Sequence, residues 1–359
     1  MPIRRLNSGM EPLKVTIHEV ARRAGVSTKT VSRVINGQGE ISEETRARVQ
    51  AIIDELGYRP NVLARSLVSK RSQMLGVVVW GVDLFAPSRI LVGIEQRSSE
   101  LGYSLILHLM SHPTDSGAER ILNTLADYRV AGIIWAVPEV GENYAWLQQV
   151  PVANLPPIVF VTVQPRSGLD TVSVDNRRGG ELATEHLIEQ GCRKIGAIAG
   201  PADWWETAER LAGWQDTLLR AGLEAPARRI VQADWSVDVG LQTMERLLEQ
   251  APEIDGVFAS SDDIALGALT AAARAGRRIP EDLALVGFDN IPQSAYFQPP
   301  LTTIDQPLSR TGRVAVDLLL ERIEHRQSKD DQAGAGIEAT GITLEPRLVV
   351  RSSTCRSGA

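Results

Sequence analysis

Four side chains near the start of the chain, Thr28, Lys29, Thr30 and Arg33, carry the chemistry of nucleic-acid recognition. Short hydroxyls beside long cations, near the N-terminus of one helix, can read base edges and grip phosphates. A second set is spread along the rest of the chain. Trp80, Asp83, Trp135, Trp204, Trp205, Trp235, Ser261, Asp262 and Asp289 fall at or just after the ends of predicted strands. Flat indoles can cover the apolar face of a sugar ring while polar groups on the rim take its hydroxyls. Seven Trp against five Tyr and five Phe is an unusual share, and most of them sit in predicted cleft loops. For any single Trp the alternative is core packing, which is the reading preferred for Trp146 and Trp214. Asp83 has a second reading, a rim ion pair with Arg89.

Catalysis finds little support. His18, His108, His112, His186 and His325 are scattered, with no Cys, Ser or carboxylate at a recognisable catalytic spacing. The stretch "AIAGPADWW" lacks the Gly-Lys-Ser/Thr ending of a phosphate loop. Cys192 and Cys355 make neither a disulfide framework nor a metal site. No catalytic residue, metal or cofactor is expected.

The elements that must position the first set are short. Thr16 and Glu19 have the spacing of a capping box, and Ile17, Val20, Ala21 and Ala24 follow on one helical face. Gly25 allows the turn that ends this helix. Ser27 caps a second helix, which turns Val31, Val34 and Ile35 inward and leaves Thr28, Lys29, Thr30 and Arg33 outside. Asn36-Gly37 closes it. A third helix starts at Ser42-Glu43-Glu44 and runs through Ala47, Val49, Ile52, Ile53 and Leu56 to Gly57. Two short helices around a Gly turn, braced by a third, are helix-turn-helix geometry. Beyond Pro60, Asn61 can cap a helix over Val62 to Leu67, too short to stand alone in water. A second copy and a DNA minor groove would order it, with Leu67 as an apolar wedge between base steps.

Charge divides the chain in the same place. Up to Arg71 there are 13 Lys and Arg against 7 Asp and Glu, and beyond it 25 against 37, within a formal total of −6. A basic end on an acidic body fits a nucleic-acid-binding module, a solvated face being the alternative. At 43% apolar and 23% charged, the 359 residues are enough for two or three globular domains. No stretch approaches ~18 apolar residues and the first residues carry no apolar run, so neither a membrane span nor an export signal is expected. A cytoplasmic location is.

From Leu75 strands and helices alternate: "LGVVVW", "YSLILHL", "AGIIWAV", "PIVFV", "KIGAIAG", "RRIVQA", "DGVFASS" and "LALVGFD" are the strand runs. Such alternation means parallel sheets covered by helices. The region is too long for one sheet, and "VSVDNRRGG" reads as a crossing between two lobes. A cleft at the strand C-termini follows.

The stretch "TIHEVARRAGVSTKTVSRVINGQGEISEETRARVQAIIDELGYRPNVLARSL" closely resembles the head and hinge of the lactose-repressor (LacI/GalR) family. "VSVDNRRGGELATEHLIEQGCRKIGAIAGP", "ERLAGW" and "DGVFASSDDIALGAL" resemble the periplasmic-binding-protein-like core of those repressors, as does the run from "IPEDLALVGFDN" onward. The resemblance implies an all-α helix-turn-helix head on a two-lobed α/β core with parallel sheets. It implies a DNA-binding domain at 14–60, a hinge helix and linker at 61–73, a core at 74–350 and a tail at 351–359. Within the core the first lobe would take about 74–172 and 291–325, and the second about 173–290 and 326–350.

By the same resemblance Thr28, Lys29, Thr30 and Arg33 enter the major groove and Leu67, with Ala64 beside it, wedges the minor groove. Thr16, Ser27, Ser32, Asn36, Tyr58 and Asn61 complete the candidate DNA-contacting set. Arg210, in "ERLAGW", matches the arginine that holds ligand hydroxyls, and Asp289 matches an acceptor on the same side. A guanidinium fork binds two neighbouring hydroxyls in a way Lys cannot copy. Many relatives carry Asn-Asp where this chain has Ser261-Asp262, which puts any particular sugar in doubt. The effector-binding candidates are therefore Trp80, Asp83, Trp135, Trp205, Arg210, Trp235, Ser261, Asp262 and Asp289.

The expected function is a homodimeric, sequence-specific repressor of carbohydrate genes, bound to a pseudo-palindromic double-stranded operator and released by a sugar-type effector. Two alternatives stay open: a regulator that needs a purine-like corepressor, since indoles stack on a base almost as well as on a sugar, and a solute receptor of a sugar transporter. A purely architectural DNA-binding protein would leave the cleft unexplained.

Overall fold

Gly25 adopts φ 67°, a conformation that a Cβ makes costly, and there α1 (Ile17–Ala24) ends. The chain turns into α2 (Thr28–Ile35), whose first turn is closed by Ser27: its Oγ accepts from the Thr30 amide at 3.1 Å. Ser42 does the same for α3 (Glu43–Leu56), accepting from the Thr45 amide at 3.4 Å. The capping box expected at Thr16 does not form. The Thr16 side chain makes no capping bond, and Glu19 pairs with Arg22 one turn on, Nε to Oε2 at 3.2 Å. A charge-assisted contact with a guanidinium outcompetes a bond back to one amide. Val20, Ala21, Ala24, Val31, Val34, Val49 and Ile53 close the small core between the helices.

The computed structural model describes residues 15–35, 39–58, 72–115, 117–148, 155–329 and 338–355. Asn36, Asn61, Ala64, Leu67 and the short helix expected at 62–67 lie outside them. The chain divides into two units, Met1–Ser72 and Gln73–Ala359.

Among the described residues the second unit holds two six-stranded sheets. In chain order its elements begin with β1 (Met74–Val79), α4 (Phe85–Glu100), β2 (Ser104–Leu109), α5 (Ala118–Asp127) and β3 (Gly132–Ala136). Then come β4 (Ile158–Val161), β5 (Asp170–Val174), α6 (Asn176–Glu189), β6 (Ile195–Ala199), α7 (Trp205–Arg220) and β7 (Ile230–Gln232). The last are α8 (Val237–Gln250), β8 (Gly256–Ala259), α9 (Asp262–Arg274), β9 (Ala284–Asp289), β10 (Thr302–Asp305), α10 (Leu308–Lys329), β11 (Gly341–Leu344) and β12 (Arg347–Val349). The first sheet has the order β11-β5-β4-β3-β1-β2, and all its described pairings are parallel. The second has the order β12-β10-β9-β8-β6-β7, parallel except where β12 meets β10. Central strands buried on both faces read as continuous apolar runs, because helices cover both sides.

The chain passes between the sheets three times: from β5 into α6, from β10 into α10, and from β11 into β12. This corrects the expected lobe boundaries. Residues 291–305 belong with the second sheet, not the first, since β10 pairs with β9 and Ile291, Phe297 and Leu301 join the second lobe's core. Gly341–Leu344 pairs with β5 in the first sheet, not the second. Strand β10 hides because two of its four residues are Thr. Both are buried, their hydroxyls bonded to Arg351 O at 3.0 Å and to Asp262. Among the described residues no helix is long and apolar enough to cross a membrane.

Candidate functional site

On the head, Lys29 and Arg33 are exposed, and among the described residues neither has an ion-pair partner. The contrast with the bracing helices is sharp: Arg22, Arg23 and Arg48 are tied to Glu19, Glu55 and Glu44. Thr28, Thr30 and Ser32 lie half-buried on the same helix, and the Thr30 hydroxyl shares a 2.9 Å bond with that of Ser27. Ser27 and Thr16 are exposed. Tyr58 packs against the head core. The second helix therefore offers two uncommitted cations on a rigid frame.

In the core, a pocket opens where the two sheets face each other. Leu84, Phe85, Pro87, Ala136 and Thr162 line it from the first lobe. From the second come Trp204, Glu206, Arg210, Trp235, Ser261, Asp263 and Asp289. Val174, Asn176 and Gln306 line it beside the crossings. Ala136, Val174 and Asp289 are the last residues of their strands, the ends at which open α/β sheets bind ligands.

Arg210 is buried at 6% exposure and held from three sides. Its Nε donates to Asn176 Oδ1 at 2.8 Å, its Nη1 to the Ser260 carbonyl at 2.7 Å, and its guanidinium lies 3.8 Å from the Phe288 ring centroid. Asn176 is anchored in turn to the Val174 carbonyl at 3.1 Å. Asp289 accepts from Gln306 Nε2 at 2.6 Å. Its φ of 115° and that of Asn290, 52°, are unusual for residues with side chains. Asn290 is held to Asp305 at 2.9 Å and to Arg351 at 2.7 Å, which keeps this kink in place.

Burial pushes the carboxyls of Glu206 and Asp289 up to about 7 each, against the pull of the Arg210 charge. Burial also raises the Asp263 carboxyl and lowers the guanidinium of Arg210. Glu206 Oε2 and Trp235 Nε1 are both shut off from solvent without a hydrogen-bond partner among the described residues. Trp204 meets Trp235 edge to face at 5.3 Å. The Trp235 ring presses so close on Gly200 that a Cβ there would stand 2.3 Å from it.

Four expected effector residues line this pocket: Arg210, Trp235, Ser261 and Asp289. Five do not. Trp135 is 2% exposed and packs on Trp146 at 5.1 Å and within the core around Phe160, because strand alternation turns it to the opposite face of its sheet from a pocket-lining end. Trp80 stands behind the wall, edge to face with Trp204 at 5.6 Å. Asp83 is exposed outside it. Trp205 opens helix α7 and buries its indole N–H, so the indole in the wall belongs to Trp204. Asp262 is a fully buried pin, accepting from Thr303 Oγ1 and from the Ile291 amide at 2.8 Å. Its neighbour Asp263 lines the pocket instead. Ser261 uses its Oγ to cap α9 at the Ile264 amide, 3.2 Å away.

Asn176, Glu206, Asp263 and Gln306 were not among the expected site residues. Glu206 had a readable signal: it lies four residues before Arg210, on the same face of one helix. Asn176 lies in "VSVDNRRGG", the stretch read as a crossing, and could have been found there; Gln306 had no signal, because its place depends on the crossing after β10.

Residues 16–61 match the family described as bacterial regulatory proteins, lacI family, and residues 184–354 match a periplasmic binding protein-like domain. The HTH-type transcriptional regulator CelR of Thermobifida fusca is 36% identical over 345 residues, covering 94% of this chain and 98% of its own. The chain belongs to the LacI family. The HTH-type transcriptional repressor PurR of Klebsiella pneumoniae (strain 342) is 34% identical over 340 residues, 94% of this chain and 96% of its own. Among solved structures, a lac repressor dimer bound to operator and the anti-inducer ONPF aligns with a TM-score of 0.84 at 31% identity, covering 95% of this chain and 99% of that one. A CelR–cellobiose complex aligns at 0.68 and 34% identity, over 94% and 99%. Like its LacI-family relatives, this chain is a DNA-binding transcriptional regulator, and its two parts are the head and the core of that family.

Proposed function

We propose that this LacI-family chain is a repressor that dimerises on a pseudo-palindromic operator and is released when a sugar-type effector enters the pocket between its lobes. The supporting observation is the wall itself. A fixed guanidinium and two enclosed carboxylates, Arg210, Glu206 and Asp289, stand beside the Trp204–Trp235 pair. Such a surface matches a sugar, with rim hydroxyls for the charged groups and an apolar ring face for the indoles. The CelR–cellobiose complex supports the same reading. Lys29 and Arg33 on α2 would meet the major groove. No catalytic step is assigned to the pocket. Action on chromosomal DNA places the protein in the cytoplasm.

Release requires the effector to favour one lobe arrangement; a thousandfold change in operator affinity takes about 4 kcal/mol of differential binding. A purine-like corepressor is the second reading, favoured by the Trp204–Trp235 pair, since indoles can stack on a base. Calorimetry with neutral sugars and with hypoxanthine separates the two, and a gel shift on a selected operator gives the sign. A sugar that binds and weakens the shifted complex supports the proposal. Binding of hypoxanthine alone, with a strengthened complex, replaces it with the corepressor reading.

A further inference from the structure

We propose that the pocket selects uncharged, hydroxyl-rich ligands and rejects phosphorylated ones, with Glu206 as the discriminating residue. This rests on the sugar-effector reading above. Among the described residues lining the pocket, three are carboxylates, Glu206, Asp263 and Asp289, and one is a cation, Arg210. Two of Arg210's donors are already spent on Asn176 and on the Ser260 carbonyl. The wall is therefore rich in acceptors and poor in free positive charge.

The usual anchors for a phosphate are also occupied. Helix N-termini attract anions through their free amides and positive dipole ends. Helix α7 carries Glu206 as its second residue, and α9 opens with Asp262 and Asp263. Of these, Glu206 and Asp263 line the pocket, where a phosphate would sit, while Asp262 turns into the core. A third helix start in the wall, that of α4, presents Leu84, Phe85 and Pro87, which are apolar.

Glu206 decides the class. Glu206 lines the pocket from α7, and its Oε2 is shut off from solvent with no donor among the described residues. A buried acceptor without a donor is costly, and a ligand hydroxyl relieves that cost. A phosphate oxygen adds a second acceptor and a like charge, which is rejection by repulsion. The groups acting on Glu206 are Arg210 on its own helix, Asp289 at the end of β9 and Glu139 in the loop after β3. Because burial pushes Glu206 up to about 7, it is partly protonated at neutral pH and can then donate to an anion. The discrimination should therefore grow as pH rises.

The test is calorimetry on the purified full-length protein, with glucose, galactose, cellobiose, maltose and lactose, each paired with its 6-phosphate. At pH 7.5 the neutral member of the binding pair should be preferred by roughly a hundredfold or more, and at pH 6 the ratio should fall by about fourfold. Glu206→Gln should bring the pH 7.5 ratio below about tenfold, and Glu206→Asp, which keeps the charge, should retain the preference. The wild-type ratios test the inference without any variant. A phosphorylated sugar bound within tenfold of its neutral partner, or more tightly, overturns the inference and leaves the sugar reading standing. If no sugar of either kind binds, the sugar reading falls and this inference with it.

Discussion

The head and the pocket both present charged side chains on an apolar frame, yet they use charge in opposite ways. On the head, Lys29 and Arg33 stand in solvent, available for phosphates and base edges, while Arg22 and Arg23 are tied to Glu19 and Glu55. In the pocket the charges are few and coupled: Arg210 is buried, Glu206 and Asp289 are half-buried, and desolvation pushes both carboxyls up to about 7 against its pull. Exposed charge adds affinity at little structural cost. Buried charge is part of the fold, and removing one member leaves the others uncompensated.

The largest expected effect tests that difference directly. Arg210→Ala should abolish the effector response in a gel shift, with a loss of about 3 kcal/mol or more in effector affinity by calorimetry. Operator affinity without effector should be unchanged. If operator binding falls in parallel, the two regions are not separable. Next in size, Arg33→Ala should weaken operator binding by about 1–3 kcal/mol if it reads a base. An equal loss on random DNA would make it a phosphate contact instead, and the salt dependence would flatten with it.

Those two residues also mark what the sequence made legible. The head was readable nearly whole, because its helices, turn and outward face are contiguous: Ser27, Val31, Val34 and the exposed Lys29 and Arg33 take the expected places. Most core strands were readable as apolar runs, from β1 at Met74–Val79 to β9 at Ala284–Asp289. Strands β10, β11 and β12 were not, because they are three or four residues long and polar or edge-lying. The pocket was readable in half. Arg210, Trp235, Ser261 and Asp289 were visible at strand ends or through resemblance, but strand-end position could not say which way a side chain turns. Trp135 and Asp262 turned into the core, and Glu206 and Asp263 line the pocket.

A third prediction concerns pH, and its sign follows from the direction of the shifts. Glu206 and Asp289 have folded values near 7, above the usual carboxylate range, so the folded core binds protons more tightly than the unfolded chain. The stability they contribute is complete below about pH 4 and is lost as pH rises through about 7. Urea denaturation of the effector-free protein should show the core weaker at pH 8 than at pH 5 by about 5 kcal/mol for the pair. Glu206→Gln should flatten the slope. A core equally stable at both values would mean that these carboxyls are solvated, and the contrast with the head would narrow.

The smallest expected effect separates two roles for one hydroxyl. Ser27→Ala should cost the head about 1 kcal/mol, because the Ser27 Oγ accepts from the Thr30 amide at 3.1 Å. Thr16 occupies the matching place before α1 but makes no capping bond, and Glu19 is engaged by Arg22. Thr16→Ala should therefore change head stability by less than ~0.5 kcal/mol in thermal unfolding. A cap-sized loss would mean that the capping box forms in solution after all. If stability holds while operator affinity drops, the exposed hydroxyl of Thr16 serves DNA and not the helix, which puts it with Lys29 and Arg33 on the side of charge and polarity left free for a partner.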